Sequence, residues 1–177
     1  PLEDAEYLKA SLGYAYRPIT NEQLNLLLRA NLIHDLPARD QRGVDGTTDG
    51  PQQRSAILSV AGTYDLMPEL TASGKLGYRM SEVAARGSDV FTSETATLTA
   101  LRFDWHVTPL WDLMTEGRFL YTEETGTRDT GAVIGIYRHV NDHVSMGLGY
   151  EWGSVSDDLA NIDYEGRGVF LNLIGRF

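Results

Sequence analysis

Along almost the whole of this chain apolar residues recur at every second position, and no other feature limits its fold so sharply. Leu8, Ala10, Leu12, Tyr14 and Tyr16 alternate with Lys9, Ser11, Gly13, Ala15 and Arg17. Leu24, Leu26, Leu28, Ala30 and Leu32 alternate with Asn25, Leu27, Arg29, Asn31 and Ile33; helical spacing would instead set Arg29 beside the leucines. The pattern returns over Ala56–Leu66, Leu70–Met80, Leu101–Val107, Trp111–Tyr121, Ala132–Ile136, Val144–Trp152 and Val169–Phe177. Thr97 and Thr99 fall on the apolar face upstream of Leu101, which marks a candidate bulge. The expectation is about nine strands of roughly 11 residues, the length that crosses a bilayer core when tilted. Globular strands centre on about five or six. No segment carries a convincing helical period.

This pattern changes the meaning of the bulk numbers. A mean hydropathy of -0.27 reads as an ordinary soluble chain, and no apolar run is long enough for a membrane helix. A transmembrane barrel, however, alternates lipid-facing and lumen-facing residues, so its average stays polar. At 177 residues the chain suits one domain, taken as 1–177. A net charge of -10 argues against nucleic acid as a partner, because phosphate binding needs a basic face. The absence of cysteine removes disulfides and thiolate chemistry.

The links alternate in length. Short ones lie at Arg17–Glu22, Met67–Glu69, Thr108–Leu110 and Val140–Asp142; long polar ones lie at Leu36–Gln53, Glu82–Ser93, Glu123–Asp129 and Ser154–Glu165. Transmembrane barrels have this asymmetry, with tight turns on one side and longer loops on the other. Aromatic residues cluster at both strand ends, as membrane-interface rings do. Tyr16, Tyr64, Trp105 and Trp111 adjoin the tight turns, while Tyr78, Tyr121, Tyr150 and Trp152 lie toward the long loops. The alternative is a soluble β-sandwich binding module whose core the rings cap. Against it stands the number of long apolar faces with nothing to cover them.

With these residues in place, the sequence resembles the bacterial outer-membrane β-barrel proteins. The resemblance rests on Val169, Leu171, Leu173 and the terminal Phe177, which are similar to the carboxy-terminal assembly signal of that family, although Gly175 stands where an apolar residue or Tyr is common. It implies an all-β, antiparallel up-and-down transmembrane barrel in the bacterial outer membrane. The implied partners are outer-membrane lipid, lipopolysaccharide and the barrel-assembly machinery. If Phe177 is periplasmic, the first strand starts at the outer face near Glu6, whereas single-chain barrels have even strand numbers with both ends periplasmic. The chain is therefore expected to be the carboxy-terminal part of a larger barrel, completed by upstream strands or another chain. If Glu6–Arg17 is not a strand, eight remain.

The expected lumen-lining charges are Lys9, Arg29, Lys75, Arg79, Arg102, Asp104, Glu116, Arg118, Glu151 and Arg176. They pair and plug a narrow barrel, or line the channel of a wide one. The expected function is a membrane anchor or passive pore of a larger surface or transport assembly, without catalysis, cofactor or metal. The competing reading is a membrane-embedded hydrolase using Asp104 and His106, which share one strand face. His34, His139 and His143 are scattered, and no serine stands beside a matching histidine. Asp45–Gly50 offers oxygen ligands, but its twelfth position is Ala56, which cannot close a calcium loop. Asp157, Asp158, Asp163 and Glu165 make a second acidic loop.

Overall fold

The computed structural model describes residues 7–35, 51–85, 88, 90–141, 144–153, 155, 159 and 167–175. They form one antiparallel sheet of nine strands in simple sequence order. The strands are β1 (Tyr7–Tyr16), β2 (Leu24–Asp35), β3 (Pro51–Met67), β4 (Leu70–Ala85), β5 (Thr92–Thr108), β6 (Trp111–Thr122), β7 (Thr127–Asn141), β8 (Val144–Gly153) and β9 (Gly168–Gly175). Tyr7–Tyr16 is a strand, so the eight-strand reading falls. Each strand pairs with its chain neighbours and β1 does not pair with β9, so the sheet is open among the described residues.

Register carries the sequence alternation from strand to strand. Leu24 faces Tyr64, Leu70 faces Trp105, Leu113 faces Ile136 and Leu148 faces Leu171. Because the side-chain period is two, these pairings put every apolar set on one face. That outer face is exposed: Leu12 is 74% accessible, Leu58 59% and Leu171 74%. A soluble protein does not leave so long an apolar band in water. The opposite, inner face holds Ile57, Ala96, Leu98, Met114, Leu120 and Val133, all buried.

Four strands outrun the expected length, β7 with 15 residues among them. β3 and β5 have 17 residues and β4 has 16, so the chain at Pro51, Gln52 and at Val83–Ala85, expected in long loops, is paired strand. A tilted crossing uses about 9–11 residues, so this three-strand tongue stands about six residues beyond the bilayer on the long-loop side. The β4–β5 register is unbroken through Thr97 and Thr99, which keep their outward positions opposite Tyr78 and Leu76 without a bulge. Bulges occur instead beside the tight turns, between Asp65 and Met67, His106 and Thr108, and His139 and Asn141. Pro68 and Pro109 each open a two-residue turn there, where a fixed φ near -65° fits.

Candidate functional site: the inner wall and its rim

The inner wall divides by charge. On β1–β4 it carries Lys9, Arg29, Lys75 and Arg79 at inward register positions, with Asp65 beside the tight turn accepting from Thr71. On β5–β8 it carries a linked network of both signs. Arg102 grips Asp104 in a two-pronged contact, Nε to Oδ2 at 2.8 Å and Nη2 to Oδ1 at 2.7 Å. Across the ladder Arg102 faces Glu116, which accepts from Arg118 Nε. Arg118 Nη1 reaches over β7 to Glu151 Oε1 at 2.8 Å. Arg118 and Glu116 are largely buried, at 13% and 12% side-chain exposure, so mutual pairing offsets their lost hydration.

Two residues of the segment between β8 and β9, Val155 and Leu159, lie inward against this wall. Val155 and Leu159 are 2% and 3% exposed and join Ile57, Ala96, Leu98 and Leu120 in one apolar cluster. Two wall arginines hold the segment by its backbone: Arg79 Nη1 donates to Leu159 O at 3.0 Å and Arg118 Nη1 to Val155 O at 3.1 Å. Gly153, at φ 128°, starts the departure from the wall. Gly77 makes room for the segment, since a Cβ there would lie 2.5 Å from Leu159 Cδ1. The sequence placed Arg79 and Arg118 on the lumen side but gave no sign that loop carbonyls would accept hydrogen bonds from them.

At the tight-turn rim the structure rearranges the expected chemistry. Asp104 is engaged by Arg102, and His106 faces Asp112 across the β5–β6 ladder, so the Asp104/His106 pairing of the hydrolase reading does not form. His106 Nδ1 lies 2.7 Å from Asp112 Oδ1, and Asp112 Oδ2 lies 2.7 Å from His139 Nε2. His139 Nδ1 is 2.7 Å from Ser145 Oγ, so a serine does stand beside a histidine. Sequence reading missed this row because its members come from four strands; the cue was their inward parity next to tight turns. Ser145 lies in the regular strand β8, and no non-glycine residue has a positive φ among the described residues, so it is not on a strained nucleophile elbow.

The expected interface aromatics face outward. Tyr16, Tyr64, Trp105 and Trp111 stand exposed at the tight-turn rim. Tyr64 OH donates to Gln23 Oε1, and Arg138 lies over the Trp111 ring at 5.5 Å. Toward the other rim, Tyr150 and Trp152 are tilted partners 6.3 Å apart, and Arg128 lies 5.9 Å from the Tyr121 ring. Tyr137, another aromatic near a tight turn, points inward over Gly135 and Gly147. Val169, Leu171 and Leu173 of the expected assembly signal are exposed on β9. Arg176, Phe177, Asp45–Gly50 and the acidic residues at 157, 158, 163 and 165 lie outside the described residues.

An exposed apolar band, a charged inner face and hairpins in simple order define the fold of a bacterial outer-membrane β-barrel protein. Solved structures with that fold are similar to this chain. OmpT, an outer membrane protein of Vibrio cholerae folded in vitro, superposes with a TM-score of 0.60 at 15% identity, over 87% of this chain and 47% of that one. A loop L8 deletion mutant of the same protein gives 0.57 at 15% identity, over 86% and 50%. The NanC porin gives 0.53 at 7% identity, over 97% and 94%. The chain thus spans about half the length of the OmpT structures. No family model and no curated protein matches the sequence. By fold, the chain stands among proteins of the bacterial outer membrane.

Proposed function

We propose that this chain is the wall of a passive pore whose sheet is completed by further strands paired to β1 and β9, either from an upstream segment or from another chain. The observation that carries the reading is the inner wall itself. A largely cationic side, at Lys9, Arg29, Lys75 and Arg79, flanks a mixed side at Arg102, Asp104, Glu116, Arg118 and Glu151, with Val155 and Leu159 held inward by Arg118 and Arg79. Charges set across a water-filled passage sort small solutes by sign and orient dipolar ones. Nothing in this role requires catalysis or a cofactor. The outer band takes outer-membrane lipid and lipopolysaccharide as its solvent. Val169, Leu171 and Leu173 serve recognition by the barrel-assembly machinery.

The test is conductance of the full-length protein in planar bilayers. Stable, weakly voltage-dependent steps are expected, and neutralising Arg29 and Lys75 together should lower the anion-to-cation permeability ratio. A barrel that inserts, migrates in heat-modifiable form on detergent gels and yet passes no ions would replace the pore with a sealed anchor.

A further inference from the structure

The rim row on β5–β8 has a geometry that neither an anchor nor a pore requires. Its donor atoms, one each from His106, Asp112 and His139, all lie within 4.8 Å of one another. We propose that these residues bind a divalent transition-metal ion of the zinc class at the tight-turn rim of the inner wall.

Two imidazoles and a carboxylate are the donor set that suits such ions, whereas magnesium and calcium prefer all-oxygen shells. In a tetrahedral site with metal bonds of about 2.0–2.2 Å, donor atoms sit about 3.4 Å apart. Here each nitrogen lies 2.7 Å from its carboxylate oxygen, and no donor pair is more than 4.8 Å apart. Side-chain rotations that open the 2.7 Å pairs by about 0.7 Å and close the widest pair by about 1.4 Å therefore bring all three onto one ion, with the fourth position left for water or a solute.

The backbone beneath the donors is already fixed. His106 N donates to Glu69 O at 2.7 Å and His139 N to Leu110 O at 2.9 Å, each beside a bulge that pins the strand against the preceding turn. Asp112 stands directly opposite His106. Ser145 Oγ occupies the second nitrogen of His139. A serine hydroxyl can accept from Nδ1–H, which leaves the Nε2 lone pair for a metal, the usual outer support of a ligating histidine. The site is reachable, since the His106 side chain is 59% exposed and that of His139 29%. Among the described residues no lysine or arginine pairs with Asp112, so no fixed cation competes for its charge. A bound ion would tie β5, β6 and β7 together at the rim, with β8 joined to them through Ser145 and His139.

The experiment is a titration of the folded full-length protein in detergent micelles with zinc chloride, followed by calorimetry, and with cobalt(II), followed by visible absorption. One ion per chain is expected, with a cobalt spectrum of mixed nitrogen and oxygen coordination. His106→Gln, His139→Gln and Asp112→Asn keep the size of each side chain and should each weaken binding at least tenfold. Ser145→Ala should weaken it about tenfold through the orientation of His139. His34→Ala, on β2, should leave it unchanged. Heat-modifiable migration of each variant checks folding separately. Absence of saturable zinc binding, or binding that survives both histidine changes in folded protein, would overturn the site. Millimolar magnesium displacing zinc would overturn the assignment of metal class. The pore reading stands or falls separately, by conductance.

Discussion

At the residue scale, close approaches on the inner face fix several identities. A Cβ at Gly149 would lie 2.2 Å from Phe170 Cζ and 2.8 Å from the carbonyl oxygen of Ile134, so a ring covers bare backbone there. Gly153 is more tightly held: its φ is 128°, and a Cβ would meet Gly131 Cα at 2.4 Å and Thr130 O at 2.5 Å. Gly153→Ala should therefore cost about 1–3 kcal/mol. Urea unfolding in micelles, followed by tryptophan fluorescence, measures this; a loss under half of that would mean the backbone relaxes there freely. Arg118 is the other constrained residue, since it serves Glu116, Glu151 and the carbonyl of Val155 at once. Arg118→Met should destabilise by about 1.5–3 kcal/mol, because two carboxylates lose their charge-assisted donor, and an added Glu116→Gln should recover part of the loss. The same unfolding assay reads both. The outward or inward address of these residues was legible in the sequence, because parity alone supplies it. Their partners were not, since register across several strands decides which of the inward charges meet.

At the element scale, the β8–β9 segment behaves as a part separate from the wall it lies on. Among the described residues its hold comprises Val155, Leu159 and two arginine contacts to backbone. Gly77→Leu would fill the space taken by Leu159 and should expel the segment while leaving the strands in place. Under the pore reading, single-channel conductance rises; an unchanged conductance with Leu159 displaced would separate the segment from permeation. The sequence placed a long polar link at Ser154–Glu165 but could not show that Val155 and Leu159 face inward, because two apolar residues in a polar loop carry no period. The turn between β6 and β7 carries a pH-dependent contact to β5 outside the membrane band. Glu124 in this turn accepts from the Thr95 amide at 2.7 Å, which holds its carboxyl below the usual value of 4.5. A depressed folded value means that the contact is fully present above 4.5 and is lost as pH falls through the lower folded value. The protection of the Thr95 amide relative to its intrinsic exchange at each pH should accordingly fall on acidification beyond that point, and Glu124→Gln should remove the dependence.

At the scale of the whole molecule, strand count and order were legible because membrane crossing imposes nearly the same length and alternation on every strand. The exceptions are β7 and the long tongue of β3, β4 and β5, where pairing continues past the bilayer with no lipid to enforce apolar alternation. The open edges have a measurable consequence. In the isolated chain, edge-facing amides of β1 and β9 should exchange with solvent much faster than those of β4–β6. They should become protected when the completing strands or another copy are present. Equal protection across a monomeric sheet would contradict this.

Three backbone contacts recur down the rim: Asp65 N to Gln23 O, His106 N to Glu69 O and His139 N to Leu110 O. In each, a strand entering one tight turn is tied to the tight turn before it. Every hairpin therefore brings the acceptor that the next one uses and contributes the donor that its predecessor awaits. A wall made this way can lengthen or shorten by one hairpin through gene duplication or deletion, without any joint having to be reinvented. Its circumference is then open to evolutionary change in steps of two strands, with the local grammar of each joint preserved.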